Sequence, residues 1–264
     1  MSEVYVITSG KGGVGKTTTS ANLGAGLALQ DKKVVLVDAD IGLRNLDVVM
    51  GLENRIVYDM IDVIEGNCRL KQALIKDKRF PSLFLLPAAQ TKDKDAVSPE
   101  QMVDLCKQLR DEFDYVIIDC PAGIEQGFKN AIAGADKAIV VTNPEVSAVR
   151  DADRIIGLLE ASDIRNPLLV LNRIKPNMVK RGEMMALEDV TEILAIDVLG
   201  VVPDDEKIIE STNRGEPAVA DDSSFAGMAY RDIVRRMLGE QVPLMDLDQN
   251  KGFFSKLAGF FSKG

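Results

Sequence analysis

The stretch that most constrains this chain is Ser9-Gly10-Lys11-Gly12-Gly13-Val14-Gly15-Lys16-Thr17-Thr18. A glycine, four residues, then Gly-Lys-Thr is the spacing of a phosphate-binding loop, with Gly10, Gly15, Lys16 and Thr17 in the required places. Glycines let backbone N–H groups turn toward a polyphosphate without a Cβ in the way. Lys16 supplies a mobile cation for the β- and γ-phosphates, and the Thr17 hydroxyl is a hard oxygen ligand for Mg²⁺. Residues 4–8 read as a buried strand and residues 16–30 as an apolar-faced helix. The loop therefore runs into a helix N-terminus, where anions bind. A chance glycine-rich turn would not come with that strand and helix around it. The expectation is a protein that binds a nucleoside triphosphate.

Lys11 occupies a position on which a plain phosphate loop makes no demand. It could simply face solvent. It could instead be a second cation for phosphates, and beside the first glycine it is poorly placed to fold back on its own nucleotide. A lysine there could serve a neighbouring subunit, as an arginine finger does in trans.

The rest of the chain continues the same pattern. Residues 33–37, 83–86, 115–118, 138–141, 168–171 and 198–202 are short apolar strands, with amphipathic helical stretches such as 98–110 and 147–161 between most of them. Such alternation predicts a doubly wound, mostly parallel sheet of about seven to eight strands, with helices on both faces. Residues 41–82 read as a long helical excursion off the sheet edge. Ligands of open α/β sheets bind beyond the carboxyl ends of the strands, and Asp38, Asp40 and Asp119 all stand there. Asp119 is the best candidate for the acid that holds Mg²⁺ directly or through water, although a strand-end carboxylate is often only a helix cap. Asp38 and Asp40 compete to orient the attacking water, and spacing alone does not choose between them.

Composition removes several alternatives. A net charge of −9 argues against a general nucleic-acid binder. Cys68, Cys106 and Cys120 are scattered, so no disulfide framework, zinc site or iron–sulfur site is indicated, and reduced cytosolic thiols are expected. There is no histidine, which excludes a histidine base or ligand. With a strand starting at residue 4, no signal peptide is expected. No run of about 18 apolar residues is present, so no membrane span is expected either.

With these pieces in place, residues 10–18, with lysine at position 11, resemble the deviant phosphate loop of the ParA/MinD ATPases. Residues 38–47 (DADIGLRNLD), 119–125 (DCPAGIE) and 142–154 (TNPEVSAVRDADR) are similar to the septum-site-determining members of that family. The likeness covers essentially the whole chain. It implies a P-loop ATPase that hydrolyses ATP with Mg²⁺ in a sandwich dimer, each Lys11 crossing to the partner's phosphates. It gives the nucleotide to Gly10, Lys11, Gly12, Gly13, Val14, Gly15, Lys16, Thr17 and Thr18, and the metal to Thr17, with Asp119 in its outer shell. It assigns the water to Asp40, adenine to Asn172 and the partner's ribose to Glu145. Arg44, Asn45, Glu53, Asp151 and Asp153 match positions near the dimer seam where regulators dock. The implied partners are a MinC-like inhibitor of septum assembly and a MinE-like or other regulator of hydrolysis or topology.

The C-terminus changes character. Residues 1–239 read as the ATPase domain and residues 240–250 as an acidic linker. In residues 251–264, Phe253, Phe254, Leu257, Phe260 and Phe261 fall on an arc of roughly 120° at helical spacing. Lys251, Lys256 and Lys263 lie on the flanks and far side, with no acid in the segment. A stripe like this usually packs on its own core. Gly252 and Gly259, the acidic linker and the lysines point instead to a helix lying on an anionic membrane surface, which implies a cytoplasmic protein peripheral on the inner face of the cell membrane.

Three rival functions differ in what they require. A ParA-type partition ATPase would want a basic surface and salt-sensitive DNA binding. A flagellar-number ATPase also carries a membrane tail but usually has an N-terminal extension, and only nine residues precede Gly10 here. An ATP-dependent ligase would need a further catalytic cluster, and none is evident.

Overall fold

The computed structural model describes residues 2–90 and 96–245. The expected membrane helix at 251–264, with Phe253, Phe254, Lys256, Leu257, Phe260 and Phe261, lies outside the described residues, as does linker segment 246–250.

The chain runs from β1 (Glu3–Thr8) into α1 (Lys16–Leu29) and β2 (Val34–Asp38). Three short helices follow, α2 (Leu46–Val49), α3 (Met60–Ile64) and α4 (Leu70–Ala73), then β3 (Ile75–Lys76) and β4 (Leu83–Leu86). Helix α5 (Pro99–Arg110) leads to β5 (Tyr115–Asp119), α6 (Gln126–Ile132), β6 (Lys137–Thr142) and α7 (Val146–Ala161). The last third is β7 (Leu168–Ile174), α8 (Pro176–Lys180), α9 (Leu187–Leu194), β8 (Val198–Pro203), α10 (Lys207–Asn213) and α11 (Phe225–Met237).

The strands form one sheet in the order β3-β4-β2-β5-β1-β6-β7-β8, parallel throughout except for β3. Strand alternation builds a core on each face. Val4, Val6, Val35, Val37, Val116 and Ile118 pack into one apolar cluster with α5, α6 and α7. Tyr5, Ile7, Val34, Leu36 and Ile117 pack into the other with α1 and α11. Both faces are covered, so the strands are apolar in continuous runs rather than in alternation.

The excursion at 41–82 is helical, as read, but in short pieces. It is broken into α2, α3, α4 and a single 3-10 turn at Glu53–Arg55, and it supplies the eighth, antiparallel edge strand. Helix breaks explain the fragments: Gly51 and Gly66 adopt φ of 62° and 76°, a region that ordinary side chains resist. A two-residue strand leaves no periodicity to read.

Candidate functional site

Strand β1 lies between β5 and β6, and the chain leaves it at the point where the sheet is wound in both directions. The glycine loop therefore emerges beside the ends of β5 and β2, and register aligns the acids there. Asp119 pairs with Ile7 on one side and with Asp38 on the other. A parallel sheet thus gathers three sequence-distant segments at one edge.

The loop is shaped by its glycines and their neighbours. Gly13 and Gly15 have φ of 77° and 101°. A Cβ on Gly10 would run into the main chain of Asp151 in α7, whereas one on Gly12 would meet only Ala122 Cβ, at 4.0 Å. Gly10 is thus needed for packing, and Gly12 and Gly13 leave the loop's outer side open. Gly15 caps α1 without a side-chain hydrogen bond, and no acid lies in the first turn. The helix therefore presents free N–H groups and its positive dipole end, which suits a polyphosphate. Lys16 is buried at that point, while Thr17 and Thr18 are half-buried.

Asp119 is buried and accepts from Ser20 Oγ at 2.9 Å and from the Thr17 hydroxyl. Burial pushes its carboxyl up to about 6, opposed mainly by the Lys16 charge. A desolvated carboxylate beside a hydroxyl suits a small hard cation. No group of three or more His, Cys, Asp or Glu side chains could hold a metal among the described residues. Mg²⁺ fits such a set, because it takes its remaining ligands from phosphate and water.

The two aspartates after β2 have different surroundings. Asp38 is buried, and its two oxygens accept the backbone N–H groups of Asp40 at 3.0 Å and of Leu46 at 3.2 Å. Burial, and the neighbouring Asp119, push its carboxyl well above the usual range. Asp38 is a brace for the loop, and it places half-buried Asp40. The sequence offered no signal for that role beyond the residue's position.

Lys11 is exposed and points along the rim toward Glu145, 3.6 Å away. Asn172 is buried, its Nδ2 donating to Val14 O at 2.8 Å and its Oδ1 accepting from the Arg173 N–H at 2.9 Å. An amide has two donors and two acceptor lone pairs, so one of each remains for a base. A cavity of about 250 Å³ opens beside it, lined by Gly15, Thr18, Asn172, the loop from Pro203 to Glu206, and Tyr230. Two contributors escaped the sequence reading. With its amide oriented to suit its neighbours, Asn143 donates to Val14 O at 3.2 Å. Tyr230 in α11 hydrogen-bonds Thr19 in α1 at 3.1 Å.

The expected docking residues lie in two segments of the chain, 44–53 and 151–153. Arg44 is held by Asp47 at 2.8 Å, Asn45 caps α2 and Glu53 is exposed in the following turn. Asp151 and Asp153 lie in α7, with Asp151 3.8 Å from Arg154. Asp151 thus touches the phosphate loop through its main chain, and Asp153 is exposed.

Comparison with known proteins identifies relatives of the chain. The family described as the CobQ/CobB/MinD/ParA nucleotide binding domain matches residues 5–218. The septum site-determining protein MinD of Bacillus subtilis is 62% identical over 264 residues, which are 99% of this chain and 98% of that protein. A structure of the MinC:MinD cell division protein complex from Aquifex aeolicus superimposes with a TM-score of 0.87 at 51% identity, covering 93% of this chain and 99% of the other. The septum site-determining protein MinD of Pyrococcus horikoshii, solved with Mg-ADP, gives 0.81 at 29% identity, covering 92% and 100%.

Proposed function

The chain belongs to the CobQ/CobB/MinD/ParA nucleotide-binding family, with the septum site-determining proteins MinD among its relatives, and from that premise we propose how its site works. It is an ATPase that uses ATP with Mg²⁺ and places the division site by recruiting a MinC-type inhibitor of septum assembly. Active as a homodimer, it binds the membrane peripherally through residues 251–264 on the cytoplasmic face, and a MinE-like or other regulator stimulates it.

The N–H groups of residues 10–16 and the Lys16 ammonium hold the ATP phosphates. Thr17 and Asp119 would hold Mg²⁺, which would supply charge neutralisation for the phosphates. Asp40, braced by Asp38, orients the water that attacks the γ-phosphorus as the bond to the bridging oxygen breaks. Lys11 of the partner subunit neutralises the charge that develops on the leaving ADP. Asn172 and the Pro203–Glu206 loop hold adenine, and Glu145 meets the ribose held by the partner. Regulators dock on Arg44, Asn45, Glu53, Asp151 and Asp153.

One observation supports the dimer: Lys11 stands exposed on the rim, 3.6 Å from Glu145. Each Phe or Leu of residues 251–264 that inserts into lipid contributes at most about 1.5–3 kcal/mol. Ordering the segment, which is too short to be helical alone, offsets much of that. One tail then binds marginally, while two on one dimer gain roughly 10²–10⁴ in avidity. ATP controls membrane residence by controlling dimerisation.

Sedimentation with anionic liposomes in ATP, ADP or no nucleotide tests this, with a DNA mobility assay alongside. Binding in ATP alone, lost on truncation after Asn250 while ATP binding persists, is expected. Equal sedimentation in ADP and ATP refutes the valency switch, and salt-sensitive DNA binding would favour a partition ATPase.

A further inference from the structure

Helix α11 delivers the linker to a defined place. Arg236 in its last turn donates to the carbonyls of Val242 at 2.8 Å, Pro243 at 2.6 Å and Leu199 in β8 at 2.9 Å. The linker is thereby pinned along the end of β8. Half-buried Met245 then lines a cavity of about 460 Å³ whose apolar walls are Pro176, Pro203 and Phe225. The rim is mostly acidic, formed by Asp204, Asp205, Glu206 and Glu210. The opposing cations are Lys207, 2.8 Å from Glu210, and Lys175, 3.3 Å from Asp204.

Five residues separate Met245 from Lys251, where the aromatic and basic segment begins. Even fully extended, that span reaches only about 20 Å, so the segment starts close to this cavity. Its composition is the complement of the cavity: Phe253, Phe254 and Leu257 for the hollow, Lys251 and Lys256 for the rim. We infer that this cavity is an intramolecular docking site for the chain's own residues 251–264, with phenylalanine seated beside Met245 and lysines against the acidic rim. The inference rests on the membrane reading for its purpose: a phenylalanine in the cavity is not in the bilayer, so docking holds a lone protomer off the membrane. Pro203, Asp204, Asp205 and Glu206 also line the nucleotide-side cavity, so the docked segment and a bound base share a wall.

The chain contains no tryptophan, so Phe254→Trp in the full-length protein reports on this segment alone. Without lipid and at low salt, acrylamide should quench that fluorophore several-fold less than in a synthetic peptide of residues 251–264 with the same substitution. Glu210→Lys, on the exposed rim, or added salt should move quenching toward the peptide value. Quenching in the full chain equal to that in the peptide overturns the inference. So does protection that neither Glu210→Lys nor salt alters, since the segment would then be packed elsewhere. Anionic liposomes with ATP separate this from the membrane reading. A lipid-induced blue shift without protection in water refutes docking and leaves membrane binding standing. Rim-dependent protection with no response to lipid supports docking and refutes membrane binding.

Discussion

Asp38 distinguishes bracing from chemistry at the end of β2. In Asp38→Ala, the buried N–H of Leu46 and the part-buried N–H of Asp40 both lose their acceptor. An unsatisfied buried donor costs about 1–3 kcal/mol, which for two gives roughly 2–6 kcal/mol. Against this, the variant no longer buries a carboxylate whose ionisation both burial and Asp119 oppose. The net loss should therefore lie in the lower part of that range, about 2–3 kcal/mol, which at this size lowers Tm by roughly 4–12 °C. Turnover should fall as well, because Asp40 loses its placement, while ATP affinity, which rests on the glycine loop and Lys16, should hold. Asp38→Asn keeps one acceptor but turns an amide N–H toward one of the two donors, so it should fall between. The pH dependence has a defined sign. A carboxyl raised in the folded state contributes stability that is full below its unfolded value of about 3.9 and is lost as pH rises through the folded value. Asp38→Asn should therefore remove part of the stability decline over that upward range. Thermal melts without nucleotide at several pH values, with ATP titration and turnover, provide the readout. An Asp38→Ala protein that melts within about 1 °C of the parent and hydrolyses ATP normally would refute the bracing role.

Other outcomes follow from the same contacts. Lys11→Ala should abolish ATP-dependent dimerisation and stimulated hydrolysis but retain monomeric nucleotide binding, whereas Lys16→Ala should weaken that binding itself; light scattering and nucleotide titration distinguish them. Asp40→Ala should keep ATP and stay dimeric longer, and wild-type turnover in that variant would remove its assigned role. Gly10→Ala should destabilise the nucleotide-free fold by about 1–3 kcal/mol, because its Cβ meets the Asp151 main chain. Gly12→Ala should stay within about 0.5 kcal/mol, with urea denaturation as the check. Arg79 joins buried Asp77 to the Met50 and Gly215 carbonyls. Burial raises the Asp77 carboxyl, but hydrogen bonds from Arg79 outweigh it and hold it below the usual range. Its contribution is therefore present above about pH 4 and lost as pH falls. Arg79→Ala should cost about 1–3 kcal/mol at pH 7, allowing for its partial exposure, and flatten that acid limb.

Seven of the eight strands among the described residues were legible because each is a short apolar run buried on both faces, and the sheet permits little else at those positions. The phosphate loop was legible for a different reason: its parts are adjacent in sequence and each residue type has its own chemical demand. The excursion at 41–82 was legible as helical, but not its division by positive-φ turns at Gly51 and Gly66, nor the two-residue strand that closes the sheet edge. Local pattern carries no record of pairing that short.

Local chemistry in the sequence determined the nucleotide class, the parallel sheet and the identity of Lys11, Lys16, Thr17 and Asp119 as candidates. The bracing contacts of Asp38 required the tertiary structure. Asp38 and Asp40 follow the same strand, and only the fold shows that the Asp38 carboxylate accepts the N–H groups of Asp40 and Leu46. The same holds for Gly10 against Asp151, Asn172 on Val14 and Tyr230 on Thr19, pairs separated by more than a hundred residues. A hydrogen bond or a close backbone approach depends on where a partner lies in space, and when that partner sits on another strand or helix, only the packed sheet brings it within reach.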